Sequence, residues 1–232
     1  MIEISHVTKK YLMYPAVESV DVTFQPGKII GVIGENGSGK TTLLKLLAGL
    51  LRPSSGLVMI DNQQVDRGIS KKLAYLTDMD YYYPYFTVIE LVHYYKSQFA
   101  DFDQDKALEI VSFMKLDHNQ KIKHLSKGNK SRLKIAVTLG RSAPYIVLDE
   151  PFTGLDPMVR KAIMNSIIKF VDLEKQTVIM ATHEVNEVEP ILDEVLLMSK
   201  GKVVAHKSVD HIREEYEMDV LQWMENHSEA TI

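Results

Sequence analysis

An α/β fold is predicted by three observations. The apolar run Ile29, Ile30, Val32, Ile33 leads into Gly34-Glu35-Asn36-Gly37-Ser38-Gly39-Lys40-Thr41-Thr42 and then into Leu43, Leu44, Leu46 and Leu47, the order strand, glycine loop, helix. Strand-length runs alternate with stretches at helical spacing both before and after this loop. Between positions 78 and 142 the strand signals give way to helical ones, an insertion between two strand-bearing halves.

Taken in order, Ile2 to Val7 alternates apolar and polar residues and reads as a half-buried strand, and Val20 to Phe24 repeats the pattern. Pro26-Gly27 turns the chain into the strand Lys28–Ile33. The helix after the glycine loop is expected to run to about Leu51, ended by the turn chemistry of Arg52-Pro53-Ser54-Ser55-Gly56. Short strands follow at Leu57–Ile60 and Lys72–Leu76. Tyr81-Tyr82-Tyr83-Pro84-Tyr85-Phe86 is an aromatic loop, and Thr87-Val88-Ile89-Glu90 is a capping box opening a helix toward Phe99.

Asp103 to Met114 carries Ala107, Ile110, Val111 and Met114 at helical spacing, and a further helix begins after Ser126. The β/α alternation then resumes. Tyr145–Leu148 and Thr177–Ala181 read as buried strands, with a helix from Pro157 to Val171 and another from Glu184 to Leu192. Glu194–Met198 and Lys202–His206 form a hairpin around Lys200-Gly201. The tail from Ser208 is helical in pattern, with Leu221 and Trp223 packed down.

Composition narrows the class. The 232 residues are 45% hydrophobic, enough to fill a core, so global disorder is excluded. A net charge of −4 gives no global attraction to nucleic acid or anionic membrane, and no nucleic-acid partner is expected. Without cysteine there is neither a disulfide nor a thiolate metal site. The start Met1-Ile2-Glu3-Ile4-Ser5 lacks the regions of a signal peptide, and no apolar run reaches the roughly 18–20 residues needed to cross a bilayer. A membrane role would have to come from a partner chain.

Three stretches carry chemistry. In the glycine loop the absent Cβ atoms let successive N–H groups turn inward around a phosphate, and the helix N-terminus adds its unpaired donors and positive dipole end. Lys40 would reach the terminal phosphates and Thr41 would offer its hydroxyl to Mg²⁺. The second stretch is Tyr145-Ile146-Val147-Leu148-Asp149-Glu150, a buried strand with two carboxylates at its C-terminal end, where open α/β sheets bind ligands. Asp149 would hold the Mg²⁺ shell and Glu150 would orient or deprotonate an attacking water. The third is Leu125-Ser126-Lys127-Gly128-Asn129, a helix start with Ser126 as N-cap and free N–H groups for an anion.

In this order the three stretches resemble an ABC transporter ATP-binding subunit, a likeness running from Tyr11 to about His206. The resemblance implies a P-loop NTPase of the ABC ATPase type, with a mixed sheet core, an antiparallel β subdomain and an inserted helical subdomain. On that pattern 1–232 is a single ATPase domain. Its nucleotide-binding core is 1–77 and 143–207, its helical subdomain 78–142, and its C-terminal helical tail 208–232. In that family the Leu-Ser-Gly-Gly-Gln signature of one subunit contacts the ATP held by another. Ser126 and Gly128 match it, whereas Lys127 and Asn129 depart from it.

Thr153-Gly154-Leu155-Asp156 resembles the family's D-loop, with Asp156 communicating across the dimer. Thr182-His183 resembles the switch histidine that senses the γ-phosphate, and Tyr11 matches the aromatic residue that stacks on adenine. Where the family has Gln after the strand ending Tyr75-Leu76-Thr77, this chain has Asp78. At an effective dielectric of 20 and about 6 Å each unit-charge pair there is worth roughly 3 kcal/mol. Attraction to Mg²⁺ and repulsion from the γ-phosphate therefore oppose each other at Asp78, which is expected to couple nucleotide to partner.

The likeness implies ATP and Mg²⁺ as cofactors. Tyr11, Gly34, Asn36, Gly37, Ser38, Gly39, Lys40, Thr41, Thr42, Ser126, Gly128 and Asp156 would contact nucleotide. Thr41, Asp149 and Asp78 would lie around the metal, with Lys40, Glu150 and His183 catalytic. It also implies a second ATPase subunit, identical or not, and a separate transmembrane permease subunit at the cytoplasmic face of the cell membrane. The aromatic loop is the expected permease contact. The motif set looks like that of ATPases driving export of peptides, antibiotics or drug-like molecules. Two other classes stay open: a non-transport ABC ATPase acting on ribosomes or DNA, and a weakly hydrolysing regulatory subunit.

Overall fold

Alternation along the strands decides how the layers stack. The computed structural model describes residues 1–77 and 83–229, and the statements that follow concern those residues. The principal sheet has the order β10-β9-β3-β8-β7-β6, formed by β3 (Ile29–Ile33), β6 (Leu73–Leu76), β7 (Tyr145–Asp149), β8 (Thr177–Thr182), β9 (Glu194–Ser199) and β10 (Lys202–Ser208). Neighbours are parallel except β10, which pairs antiparallel with β9. Every residue of β3, β7 and β8 is buried, as expected where both faces of a parallel sheet are covered.

Period-two alternation divides those strands between two cores. Ile30, Val32, Val147 and Ile179 pack on α1 (Lys40–Leu47) and on a second, antiparallel sheet made of β1 (Ile2–Tyr11), β2 (Tyr14–Phe24), β4 (Ser55–Ile60) and β5 (Gln63–Gln64). Ile29, Ile33, Ile146, Leu148 and Met180 face the other core. That core is closed by α2 (Val88–Gln98), α3 (Gln104–Phe113), α4 (Lys127–Leu139), α5 (Pro157–Phe170), α6 (Val185–Val188), α7 (Val209–Tyr216) and α8 (Val220–Glu229).

The helices α2 to α4 fall in the chain between β6 and β7. Thr87 and Glu90 make the expected capping box, with Thr87 N donating to Glu90 Oε2 at 2.7 Å and Glu90 N to Thr87 Oγ1 at 3.3 Å. In the tail Trp223 is fully buried, whereas Leu221 is only half-buried. Among the described residues no helix is long and apolar enough to cross a membrane.

Several element boundaries differ from the sequence reading: β1 runs on past Val7 to Tyr11, β4 begins two residues before Leu57, and three further differences have a local cause. The helix after the glycine loop stops at Leu47, short of Leu51, because the chain reverses at Gly49 with φ +67°. A Cβ at Gly49 would lie 2.2 Å from the Asp66 carbonyl oxygen. The stretch Glu184–Leu192 is α6 followed by a 3₁₀ turn over Glu189–Ile191, since Pro190 cannot donate within a continuing helix. The strand read as Val20–Phe24 begins at Tyr14, where irregular pairing with β1 hides the alternation. Asp78, Tyr81 and Tyr82 lie outside the described residues.

Candidate functional site

The C-terminal ends of β3, β7 and β8 lie side by side, and the segments that follow them line two adjoining cavities that share Asn36 and Glu150. After β3 the loop closes onto α1 through Gly39, whose φ of +105° and close approach to Ala16 leave no room for a side chain; a Cβ there would lie 2.4 Å from Ala16 O. At Gly37 a Cβ would meet nothing within 4 Å, so this part of the loop faces open space. The cleft holds about 350 Å³ and is lined by Ala16, Asn36, Gly37, Lys40, Thr41, Thr42 and Glu150, among others.

Lys40 is 5% exposed and donates from Nζ to the carbonyl oxygens of Gly34 (2.7 Å) and Glu35 (2.9 Å). Burial holds the Lys40 ammonium below the ordinary lysine range, against the opposing fields of Glu150 and Asp149. An incoming phosphate would offer it anionic acceptors in place of two neutral carbonyls. Ser38 Oγ is buried and has no hydrogen-bond partner among the described residues, a hydroxyl available to a ligand oxygen. The inward loop, the buried lysine and this hydroxyl fit a nucleotide phosphate chain.

Asp149, the last residue of β7, is fully buried. Its Oδ1 accepts from Thr41 Oγ1 at 2.9 Å and its Oδ2 from Tyr75 OH at 2.9 Å. A hydroxyl and a carboxylate are oxygen donors suited to a hard cation, and Mg²⁺ characteristically keeps water and phosphate ligands alongside one or two protein oxygens. Among the described residues no three His, Cys, Asp or Glu side chains cluster into a metal cage. The Thr41 hydroxyl and the Asp149 carboxylate fit a Mg²⁺.

Glu150 follows with φ +49°, a left-handed conformation costly for a non-glycine residue, while its N–H donates to Ala181 O at 3.0 Å. Its Oε2 lies 2.9 Å from His183 Nδ1 and accepts from Thr153 Oγ1 at 2.9 Å. His183 sits just beyond β8, on a turn where Glu184 N donates to Thr182 Oγ1 at 3.0 Å. Asn36, Glu150, Thr153 and His183 line a second cavity of about 440 Å³, whose far wall is the α4 face bearing Lys127, Lys130, Ser131 and Lys134.

The remaining expected residues assemble elsewhere. Ser126 caps α4, accepting from Asn129 N at 3.2 Å, and Asp156 caps α5, accepting from Val159 N at 3.0 Å. A Cβ on Gly128 would lie 2.9 Å from Val159 Cγ2, so the missing side chain lets the two helix starts pack closely. Ser126, Gly128, Gly154 and Asp156 line a separate cavity of about 530 Å³ that shares no lining residue with the phosphate-loop cleft. Lys127 leans across it, with Nζ 2.4 Å from where a Gly154 Cβ would lie.

Tyr11 is 49% exposed at the end of β1, directly opposite Tyr14, with Lys9 Nζ 5.7 Å from its ring centre. It does not line the phosphate-loop cleft, and Asp78 lies outside the described residues. In the aromatic loop Tyr85 is exposed, whereas Phe86 turns inward against Tyr83 and Tyr94. Sequence reasoning missed Tyr75 and Arg160, and it placed Thr153 in the D-loop stretch without its contact to Glu150. Tyr75 reaches Asp149 across the sheet, Thr153 supports Glu150, and Arg160 joins α5 to the segment after His183. The Thr153 contact was the one within reach of a sequence argument, three residues beyond Glu150.

Comparison with known proteins follows the same lines. A family model described as ABC transporter matches residues 17–153. The uncharacterized ABC transporter ATP-binding protein YdbJ of Bacillus subtilis is 32% identical over 215 residues, covering 90% of this chain and 70% of that protein. A solved ATP binding subunit of an ABC transporter shares the fold with a TM-score of 0.84 at 21% identity, over 98% of this chain and 99% of that one. The dimeric post-hydrolysis state of the ATP-binding cassette MJ0796, bound to ADP and Pi, gives a TM-score of 0.79 at 26% identity over 90% of this chain and 98% of that one.

Proposed function

Because the chain belongs to the ABC transporter ATP-binding family, we propose that it drives export of a peptide, antibiotic or drug-like molecule through a separate membrane subunit, by closing as a head-to-tail dimer on ATP. As an ABC ATPase it binds and hydrolyses ATP. The observation that carries the dimeric reading is the separation of its two half-sites. Lys40, Thr41 and Glu150 line the phosphate-loop cleft, with Asp149 bonded to Thr41, while Ser126, Gly128 and Asp156 line a cavity with no residue in common with it; Glu150 and His183 also face the intervening cavity, which Lys127 borders from the other side. A second subunit presenting Ser126 and Gly128 would complete each ATP site.

Within that site the loop N–H groups and Lys40 would bind and orient the phosphates, and Tyr11 would stack on adenine. Thr41 and Asp149 would hold Mg²⁺, which supplies charge neutralisation at the β- and γ-phosphates when bound. Glu150 takes a proton from the attacking water as its oxygen adds to the γ-phosphorus and the bond to the ADP oxygen breaks. A positioned base of this kind contributes about 10²–10⁴-fold. His183, 2.9 Å from Glu150, would donate to the γ-phosphate and keep the carboxylate aimed at the water. Release of phosphate then lets the dimer open.

Export is supported by the motif set, which looks like that of exporter subunits, and cargo would be chosen by the membrane subunit. The exposed Tyr85 is the favoured contact for that subunit. Mixing two inactive variants tests the shared sites. In a Lys40→Ala and Ser126→Arg heterodimer one site regains both halves, so a one-to-one mixture should recover about a quarter of wild-type turnover by symmetry. A mixture as inactive as either variant alone would contradict the head-to-tail arrangement.

A further inference from the structure

Arg160 occupies the first turn of α5, four residues after Asp156. Its Nε donates to the carbonyl oxygen of Leu155 at 2.9 Å, and its Nη1 lies 3.1 Å from Glu184 Oε2 and 3.0 Å from Glu187 Oε1. The Arg160 side chain is 21% exposed and the Glu184 side chain 19%, while Glu187 on the outer side is 43% exposed. Glu184 Oε2 is buried and accepts no hydrogen bond among the described residues, leaving the guanidinium to balance its charge. Through its hydrogen bonds to Leu155 O and Glu187 and its ion pair with Glu184, the planar guanidinium therefore joins the loop that presents Asp156 to the segment that begins directly after His183.

The other contacts of that segment sharpen the point. Val185 and Val188 are buried in the helix-side core, and Glu189 is held by Arg213 of α7 at 2.8 Å and by the N–H of Val220 at 3.0 Å. Its far end is anchored to the tail, so the end bearing His183 is the one that movement of the Asp156 loop would displace. His183 in turn lies 2.9 Å from Glu150.

We infer that Arg160 is a positioning residue for hydrolysis: it transmits the placement of the Asp156 loop, set by the facing subunit, to His183 and through it to Glu150. This rests on the dimeric ATPase reading above. Arg160 touches neither nucleotide nor water in this role. Loss of the guanidinium would leave the ATP-binding loop intact and let His183 drift from Glu150, a misplacement that costs turnover more than affinity.

The test is steady-state ATPase kinetics of the full chain carrying Arg160→Gln, Asp156→Ala and both changes. Arg160→Gln is expected to lower kcat about tenfold with KM for ATP within about twofold of wild type. The double variant is expected to turn over within about twofold of the slower single variant, because both changes interrupt one line of contact. Full kcat in Arg160→Gln, or losses that multiply in the double variant, overturns the inference. Should Arg160→Gln fail to fold, Glu184→Ala with Glu187→Ala removes the acceptor side and carries the same expectation and the same refutation. A wild-type chain without ATPase activity overturns the parent reading as well, whereas an active wild type with an indifferent Arg160 overturns this inference alone.

Discussion

Replacing Tyr75 by Phe isolates the support of the buried carboxylate at the proposed metal position. The ring stays, so apolar packing is retained and the hydroxyl alone is removed. That hydroxyl donates at 2.9 Å to Oδ2 of Asp149, a side chain with no solvent exposure. Water therefore cannot replace the donor without entering the sheet edge. A hydrogen bond to a charged group contributes about 1.5–3 kcal/mol. For a domain of this length each kcal/mol moves the thermal midpoint by roughly 2–4 °C, which places the Tyr75→Phe midpoint about 3–12 °C below wild type. Thermal unfolding followed by circular dichroism without nucleotide reads this directly. A midpoint within about 1 °C of wild type would refute the claim that Tyr75 holds Asp149 in place.

Other consequences follow from single contacts. Gly128→Ala pushes a methyl group to 2.9 Å from Val159 Cγ2 and should destabilise the chain by about 1–3 kcal/mol in urea unfolding, as overpacking does. Its ATPase loss should accompany that change, since α4 and α5 must part to admit the methyl. Tyr85→Glu places charge on the proposed permease contact. Reconstituted transport should fall several-fold while ATPase of the isolated chain holds within about twofold, and equal transport by the two proteins would move the contact elsewhere.

Local pattern carried much of the architecture. Ile29–Ile33 read as a strand because its apolar residues are continuous, and it is buried on both faces for the same reason. Ser126, Thr87 and Asp156 sit at helix starts, where their side chains accept from an N–H three residues on. What was not legible depended on long-range geometry or on broken periodicity. The hairpin of β1 and β2 contains His6 and Ser19 at positive φ, so its alternation slips and the true start of β2 at Tyr14 is masked. The stop of α1 depends on Asp66 packing over Gly49, a contact invisible from the helix itself.

The candidate site divides in the same way. The phosphate loop and the acidic strand end were readable because each is continuous in sequence. Tyr75 meets Asp149 only because β6 pairs with β7 in parallel register, with Leu76 beside Leu148. Arg160 is an unremarked helix residue until the fold brings Glu184 and Glu187 beside it. Lys127, an evident departure in the helix start, has its side chain leaning over Gly154.

Glu150→Gln tests the central claim most directly. The amide preserves the shape at the end of β7 and removes the carboxylate that would accept the water's proton, so ATP should bind without being cleaved. Light scattering on this variant with saturating ATP and Mg²⁺ should show a dimer that returns to monomer when nucleotide is removed, with hydrolysis lowered by about 10² or more. A Glu150→Gln protein that stays monomeric while saturated with ATP, or that hydrolyses ATP at the wild-type rate, would contradict the account.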